Sequence, residues 1–212
     1  MKKFLLLVSV LALVAAGCAQ KPAANTANSS SSTAAGASPK AAAPKANEKK
    51  PPATNPVPSD WVRMYNDTKG YEFYVPQGTK DESQNVDGVD VYLANVPAPY
   101  DIGIIVVAFK DKSLTKEDLL KRTENILTSM GEKDIKITDT KSLSEDYSLA
   151  NISSVDKDGK TTKGKVLVGT DVTDNYIILV GTDAAKFAAN EKTIDEIWGS
   201  FGMYSGGASG TS

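Results

Sequence analysis

Apolar positions fall in two periods along the chain. Between 61 and 109 they recur every second residue, with strands predicted over 61–65, 71–75 and 89–95. The turn Asp67-Thr68-Lys69-Gly70 joins the first two, and Asp87-Gly88 precedes the third, which aims Val89, Val91 and Leu93 inward. Positions 102–109 are almost continuously apolar, the mark of a strand covered on both faces. The period then lengthens. Thr115 reads as a helix N-cap with Asp118 as its capping-box partner, followed by a stripe of Leu119, Leu120, Ile126, Leu127 and Met130 that Gly131 closes. Strands follow over 133–140, 147–155, 163–169 and 175–181, linked by a hairpin through 155–160 and a turn through 171–174. A last helical region, 183–201, carries Phe187, Ile194, Ile197, Trp198 and Phe201 on one stripe. Strand runs flanked by two helical segments predict an α+β domain on a largely antiparallel sheet, and the apolar run at 104–109 puts helices on both faces.

The N-terminal 58 residues follow a different rule. Lys2 and Lys3 precede a 13-residue apolar stretch, 4–16, broken only by Ser9. As a helix it spans ~20 Å, short of the ~30 Å hydrocarbon core, and so reads as a signal peptide over 1–17. It ends in Ala15-Ala16-Gly17-Cys18, and Cys18 is the chain's one cysteine. This segment resembles a bacterial lipobox, with Ala15 where leucine is commoner. The resemblance implies that Cys18 becomes an acylated mature N-terminus, carrying diacylglycerol and a further fatty acid of the palmitate kind. Membrane lipid is then the first partner. The expected location is the cell membrane or outer membrane, with the domain facing the periplasm or cell exterior. Ala19 rather than Asp after the cysteine favours the outer membrane in a Gram-negative host. From 18 to 58 the chain is Ala, Pro, Ser, Thr, Asn and Lys, too poor in large apolar groups to offset its own ordering entropy, and reads as a disordered tether. The folding domain is 59–204, and 205–212 is a Gly/Ser tail.

Charge sharpens this division. The 212-residue chain has 24 basic and 26 acidic residues, but the folding part alone holds 17 and 25, a net −8. Such a domain repels nucleic-acid phosphates. Histidine is absent, which removes histidine-based triads, histidine zinc sites and imidazole proton shuttles. Gly159-Lys160-Thr161 lacks the glycine of a phosphate loop at 154 (Ser154) and reads as a hairpin turn. Asp156 and Asp158 resemble a fragment of a calcium loop, with Asp171 and Asp174 as acids that could add ligands. Lys165 stands where the bidentate glutamate belongs, so they are weak metal candidates only. The acid pairs Asp87/Asp90 and Asp195/Glu196 read as solvated rather than catalytic. Tyr71, Tyr74, Tyr92, Tyr176 and Trp198 fit core or sheet positions better than a sugar platform. Trp61, Tyr65, Tyr204 and the loop Val96-Pro97-Ala98-Pro99-Tyr100 are the remaining aromatics and prolines. Val96, Pro97, Pro99 and Tyr100 form the candidate docking loop for a protein partner.

Gly70-Tyr71-Glu72-Phe73-Tyr74-Val75-Pro76, the Thr-x-Glu-Asp-Leu-Leu helix start at 115–120 and the closing Thr193–Phe201 segment resemble PsbP-like and DcrB-like domains over about 61–202. The resemblance implies an α/β/α sandwich of the kind found in accessory and envelope proteins. Histidine-dependent metal sites of plant members cannot be inherited here. The expected function is a non-catalytic, membrane-anchored protein-binding or assembly module with an envelope protein as partner and no cofactor. The alternatives are a small-molecule or cation-binding lipoprotein with a pocket between sheet and helix, and, behind it, a carboxylate-based hydrolase.

Overall fold

A computed structural model describes residues 48–49, 57–110, 113–171 and 174–204. The signal peptide, lipobox, Cys18, most of the tether and the 205–212 tail lie outside the described residues, as does the centre of the 171–174 turn.

Thirteen elements follow along the described chain: β1 (Glu48–Lys49), β2 (Val62–Asn66), β3 (Tyr71–Val75), β4 (Lys80–Val86), β5 (Val89–Val96), β6 (Ile102–Phe109), α1 (Lys116–Ser129), β7 (Lys133–Ser142), β8 (Tyr147–Val155), β9 (Thr161–Asp171), β10 (Asp174–Asp183), α2 (Phe187–Gly199) and β11 (Gly202–Tyr204). They make two antiparallel sheets. The larger has the order β4-β5-β6-β10-β9-β8-β7, and the smaller β1-β11-β3-β2. The α+β class and the antiparallel sheet are as the periodicity predicts. Two residues inside the stretch read as tether, Glu48 and Lys49, are strand, pairing with Tyr204 and Met203.

Strand β10 lies at the centre of the large sheet, flanked by β6 and β9, and is buried from Asn175 to Thr182. Its alternate residues feed two cores. Tyr176, Ile178 and Val180 pack with α2 (Ile194, Ile197, Trp198) and with Tyr71, Phe73, Val75 and Met203 of the small sheet. Ile177 and Leu179 pack with Leu119, Ile126 and Leu127 of α1. The layers are therefore α1, large sheet, then α2 beside the small sheet. Each fully buried aliphatic side chain in such a position contributes about 1.5–3 kcal/mol relative to exposure.

The start of α1 follows its sequence signal. The Thr115 hydroxyl accepts from the Asp118 N–H, and the Asp118 carboxylate accepts from the Thr115 N–H, closing a capping box. Helix α2 differs from expectation at its start. Residues 183–186 form a turn in which the Asp183 carboxylate accepts from the Ala185 N–H, so the helix begins at Phe187. Phe201 lies past its end yet is wholly buried. Lys165 of β9 holds α2 to the sheet through Asp195 (2.6 Å) and Glu191 (3.2 Å), and Asp195 also accepts from the Trp198 indole at 2.8 Å.

Both edges of the large sheet are polar. β4 (Lys-Asp-Glu-Ser-Gln-Asn-Val) has no buried residue, and β7 carries two register shifts beside Asp134 and Asp139, whose φ angles are +49° and +54°. Charge and bulges of this kind discourage edge-to-edge association. Across the centre, Gly103, Gly181 and Gly164 stand in one row over β6, β10 and β9. There a side chain on Gly164 would place its Cβ 2.3 Å from the Val180 carbonyl oxygen. Gly164→Ala therefore destabilises by about 1–3 kcal/mol through forced backbone movement. Gly199→Ala in α2, whose Cβ would meet nothing within 4 Å, is expected to stabilise by about 0.5–1 kcal/mol. Urea unfolding midpoints of the two variants should move in opposite directions from the parent.

Candidate functional site

The small sheet does not cover the whole face of the large one. Along β4 and β5, cross-strand pairing sets Ser83 opposite Tyr92 and Asn85 opposite Asp90. Val106 of β6 pairs with Tyr92 and is followed on the same face by Ala108. α2 packs further along the sheet. The β2–β3 turn overhangs this uncovered corner, and the Tyr176 hydroxyl donates to the Lys69 carbonyl at 2.9 Å, tying the turn to the sheet. Between turn and sheet is an open cleft of about 430 Å³, lined by Asn66, Lys69, Tyr71, Ser83, Asn85, Asp90, Tyr92 and the apolar surface of Val106 and Ala108, with Gln84 and Val91 bordering it from strand positions whose side chains face α1.

Its walls are polar and its base is aromatic. Tyr71, Phe73, Tyr92, Tyr176 and Phe201 form one cluster with ring centroids 5.9–6.4 Å apart, mostly edge to face. Burial pushes the Tyr71 hydroxyl up to about 12, against a hydrogen bond to Asn66 that opposes the rise. Burial likewise raises Tyr92, reinforced by its hydrogen bond to the Asp81 carboxylate. Both phenols are neutral donors at physiological pH. Lys69 Nζ lies 3.2 Å from Asp90, and Asn85 donates to the same carboxylate at 3.1 Å while its own carbonyl caps the Gly88 N–H. These bonds, the one from Asn85 first, hold the Asp90 carboxyl below its ordinary value. The charges on the rim cancel as a pair. Ser83, on the same face of β4 as Asn85, presents its hydroxyl to the cleft with no side-chain partner among the described residues.

The structure scatters the residues singled out from the sequence. Val96 is not a loop residue: it is the last residue of β5, 2% exposed, pairs with Ile102 and belongs to the core. Tyr100 is half-buried against that core, whereas Pro97 and Pro99 are exposed, the Ala98–Pro99 peptide being cis. The loop is firmly held, for Asn190 donates to the Tyr100 carbonyl at 2.6 Å, Thr182 to the Asp101 carbonyl at 2.9 Å, and Lys186 pairs with the Asp101 carboxylate. Tyr65 is the one large apolar side chain exposed among the described residues, with the Arg63 guanidinium 4.5 Å over its ring; Trp61 packs on the core. Asp156 spends one carboxylate oxygen on the N–H groups of Asp158 and Lys160, as a hairpin turn requires. Asp171, the last residue of the 11-residue β9, and Asp174, which pairs with it at the start of β10, lie about 33 Å from that turn and cannot join it. Among the described residues no three acidic, Cys or His side chains converge as a metal site. A smaller pocket of about 130 Å³ does lie between sheet and helix, lined by Val86, Val89 and Phe109 and by Arg122, Asn125 and Ile126 of α1, while the larger cleft lies between the two sheets. The signal for the cleft was faint: Tyr71 and Tyr92 stood out as core aromatics and Asp90 as a solvated acid, while Asn66, Ser83 and Asn85 look like turn and edge residues until strand pairing assembles them.

No protein-family profile matches the chain, and no curated protein matches it in sequence. Solved structures do. Cyanobacterial PsbP (CyanoP) from Synechocystis superposes with a TM-score of 0.56 at 18% identity, covering 68% of this chain and 93% of that one. The Ran-binding protein Mog1p of Saccharomyces cerevisiae gives 0.47 at 15% identity, covering 66% and 94%. The domain has a PsbP-like fold, as the resemblance in sequence implied.

One buried ionisable group lies away from the cleft. Glu132, between α1 and β7, is 6% exposed and accepts from the Ser154 hydroxyl at 2.6 Å. Burial raises its carboxyl above the ordinary range, the Ser154 bond opposes this, and Asp156 adds to it. The folded state thus binds the Glu132 proton more tightly than the unfolded chain does. This contribution to stability is complete below the ordinary glutamate value and is lost as pH rises towards the raised one. Glu132→Gln removes the dependence: its stability relative to the parent should grow as pH rises through that window and level off above it. Urea melts of both proteins at a series of pH values between 4 and 8 check the sign.

Proposed function

We propose that this chain is an envelope lipoprotein, anchored through acylated Cys18, whose PsbP-like domain acts as a non-catalytic binding or assembly module for an envelope protein. The carrying observation is the sequence Ala15-Ala16-Gly17-Cys18 at the end of a short apolar segment, with a stretch poor in large apolar residues leading from it to a domain. A lone cysteine there has no disulfide partner in its own chain, and acylation gives it a role. Two or more acyl chains supply the lasting attachment that one chain does not. The domain supports the reading with a presented loop. Pro97, Ala98 and Pro99 stand exposed while Tyr100 and Asp101 are bonded to α2 and β10, so a partner meeting this loop orders little of it on binding.

A second reading, a small-molecule-binding lipoprotein, is favoured by the cleft of about 430 Å³, within the range of small-ligand sites.

In cell fractionation the parent should sediment with membranes and be released by detergent but not by high salt. Cys18→Ala should appear in the soluble fraction, and mass spectrometry of the parent should find the acyl groups on Cys18. Unchanged membrane association of Cys18→Ala would remove the anchor. In-cell cross-linking followed by purification should recover one reproducible partner, and Ala98→Glu, at the tip of the loop, should lose it without a change in melting temperature.

A further inference from the structure

The cleft holds chemistry that neither the anchor nor the docking loop uses. Its side-chain set is specific: two carboxamides (Asn66, Asn85), the Ser83 hydroxyl, the phenols of Tyr71 and Tyr92, and one Lys69–Asp90 pair at 3.2 Å. A carboxamide both donates and accepts in one plane, and hydroxyls do either. Such a set matches a ligand dense in groups that themselves donate and accept. A charged ligand fits poorly, because Lys69 is already paired with Asp90, and Asp81 takes the Tyr92 hydroxyl. A purely apolar ligand fits poorly too, because it would strip water from these polar groups without replacing its hydrogen bonds. Apolar surface is nevertheless present. Half-buried Tyr92 packs edge-on to Tyr71 and Phe73 and adjoins Val106 and Ala108 in the wall of the cleft. A molecule with hydroxyls around its rim and C–H groups on its faces meets both demands.

We propose that this cleft binds a neutral saccharide of one or two rings. Ser83, which has no side-chain partner among the described residues, takes one of its hydroxyls, Asn85 and the Lys69–Asp90 pair extend that contact along the rim, and Tyr92 receives a C–H face. The site is preformed, since the Tyr176–Lys69 hydrogen bond fixes the turn and the β4–β5 pairing fixes the wall. It is built from residues 66–108 alone, and so does not depend on the anchor.

The test is an amide chemical-shift titration of the isotope-labelled full-length chain with maltotriose, cellotriose and the N-acetylglucosamine trimer, each taken to about 10 mM, which detects Kd values into the millimolar range. The expected result is a saturable shift with at least one of them, confined to residues around 66–71, 83–85 and 90–92. Ser83→Trp fills the cleft and should abolish it, whereas Glu82→Trp, the same bulk on the opposite face of β4, should leave it intact. Asn85→Ala, which removes a rim carboxamide on the cleft face of β4, should weaken it. Cys18→Ala should bind like the parent, so that loss of the anchor and loss of the cleft are separate results. No shift with any of the three, shifts elsewhere on the domain, or shifts that persist in both Ser83→Trp and Asn85→Ala would overturn the proposal.

Discussion

A strand buried on both faces can carry almost nothing polar, and every element around β10 answers to that condition. From Asn175 to Thr182 it is covered by α1 on one side and by α2 with the small sheet on the other. Its backbone is satisfied by β6 and β9, and its side chains alternate strictly between two cores. Thr182 is the kind of exception such a place allows, buried but donating to the Asp101 carbonyl. Because the period is two, a slip of one residue would send Tyr176 into the α1 core and Ile177 into the aromatic cluster. The aromatic cluster, the position of the β2–β3 turn and the cleft beneath it all inherit their register from this strand.

The two sides of the sheet use their covers differently. α1 lies against β7, β9 and β10 with an aliphatic stripe and needs little else. On the other face α2 occupies only part of the sheet and is fixed by Lys165, Asp195 and the Trp198 indole, while aromatic rings fill the remaining depth. Large rings reach further than aliphatic side chains, so a turn held by one tyrosine hydroxyl can stand off the sheet and leave space between. The polar lining is the counterpart of that arrangement, since wet space is lined by groups that tolerate water.

What the sequence made legible follows burial. Strands that alternate or run apolar (β3, β5, β6, β8, β9, β10) and a helix with a complete capping box can be read from their residues, because one side chain's burial repeats in the next. β4 could not, for Lys-Asp-Glu-Ser-Gln-Asn-Val has no fully buried residue and one apolar side chain, and owes its strand form chiefly to the backbone partners β5 offers it. β1 and β11 are two and three residues long, below the length at which any period exists. Val96 was misplaced for a related reason: the prolines after it suggested a loop, whereas Ile102 across the hairpin holds it in the core. The cleft escaped more completely, because Asn66–Lys69 and Ser83–Asp90 are separate in sequence and individually look like ordinary turns.

The pairing of β1 with β11 fixes where the two ends of the described domain meet. Glu48 sits opposite Tyr204, one step beyond the Met203–Tyr71 pair, on the side where β3 runs back into Gly70 and the overhanging turn. The chain therefore arrives and departs through one corner of the small sheet, two strands (about 10 Å) from β3. Holding residues 48–49 beside 202–204 thus gathers both ends of the described domain at the corner where the β2–β3 turn overhangs the cleft, so a change in how either end pairs would be felt first at that turn.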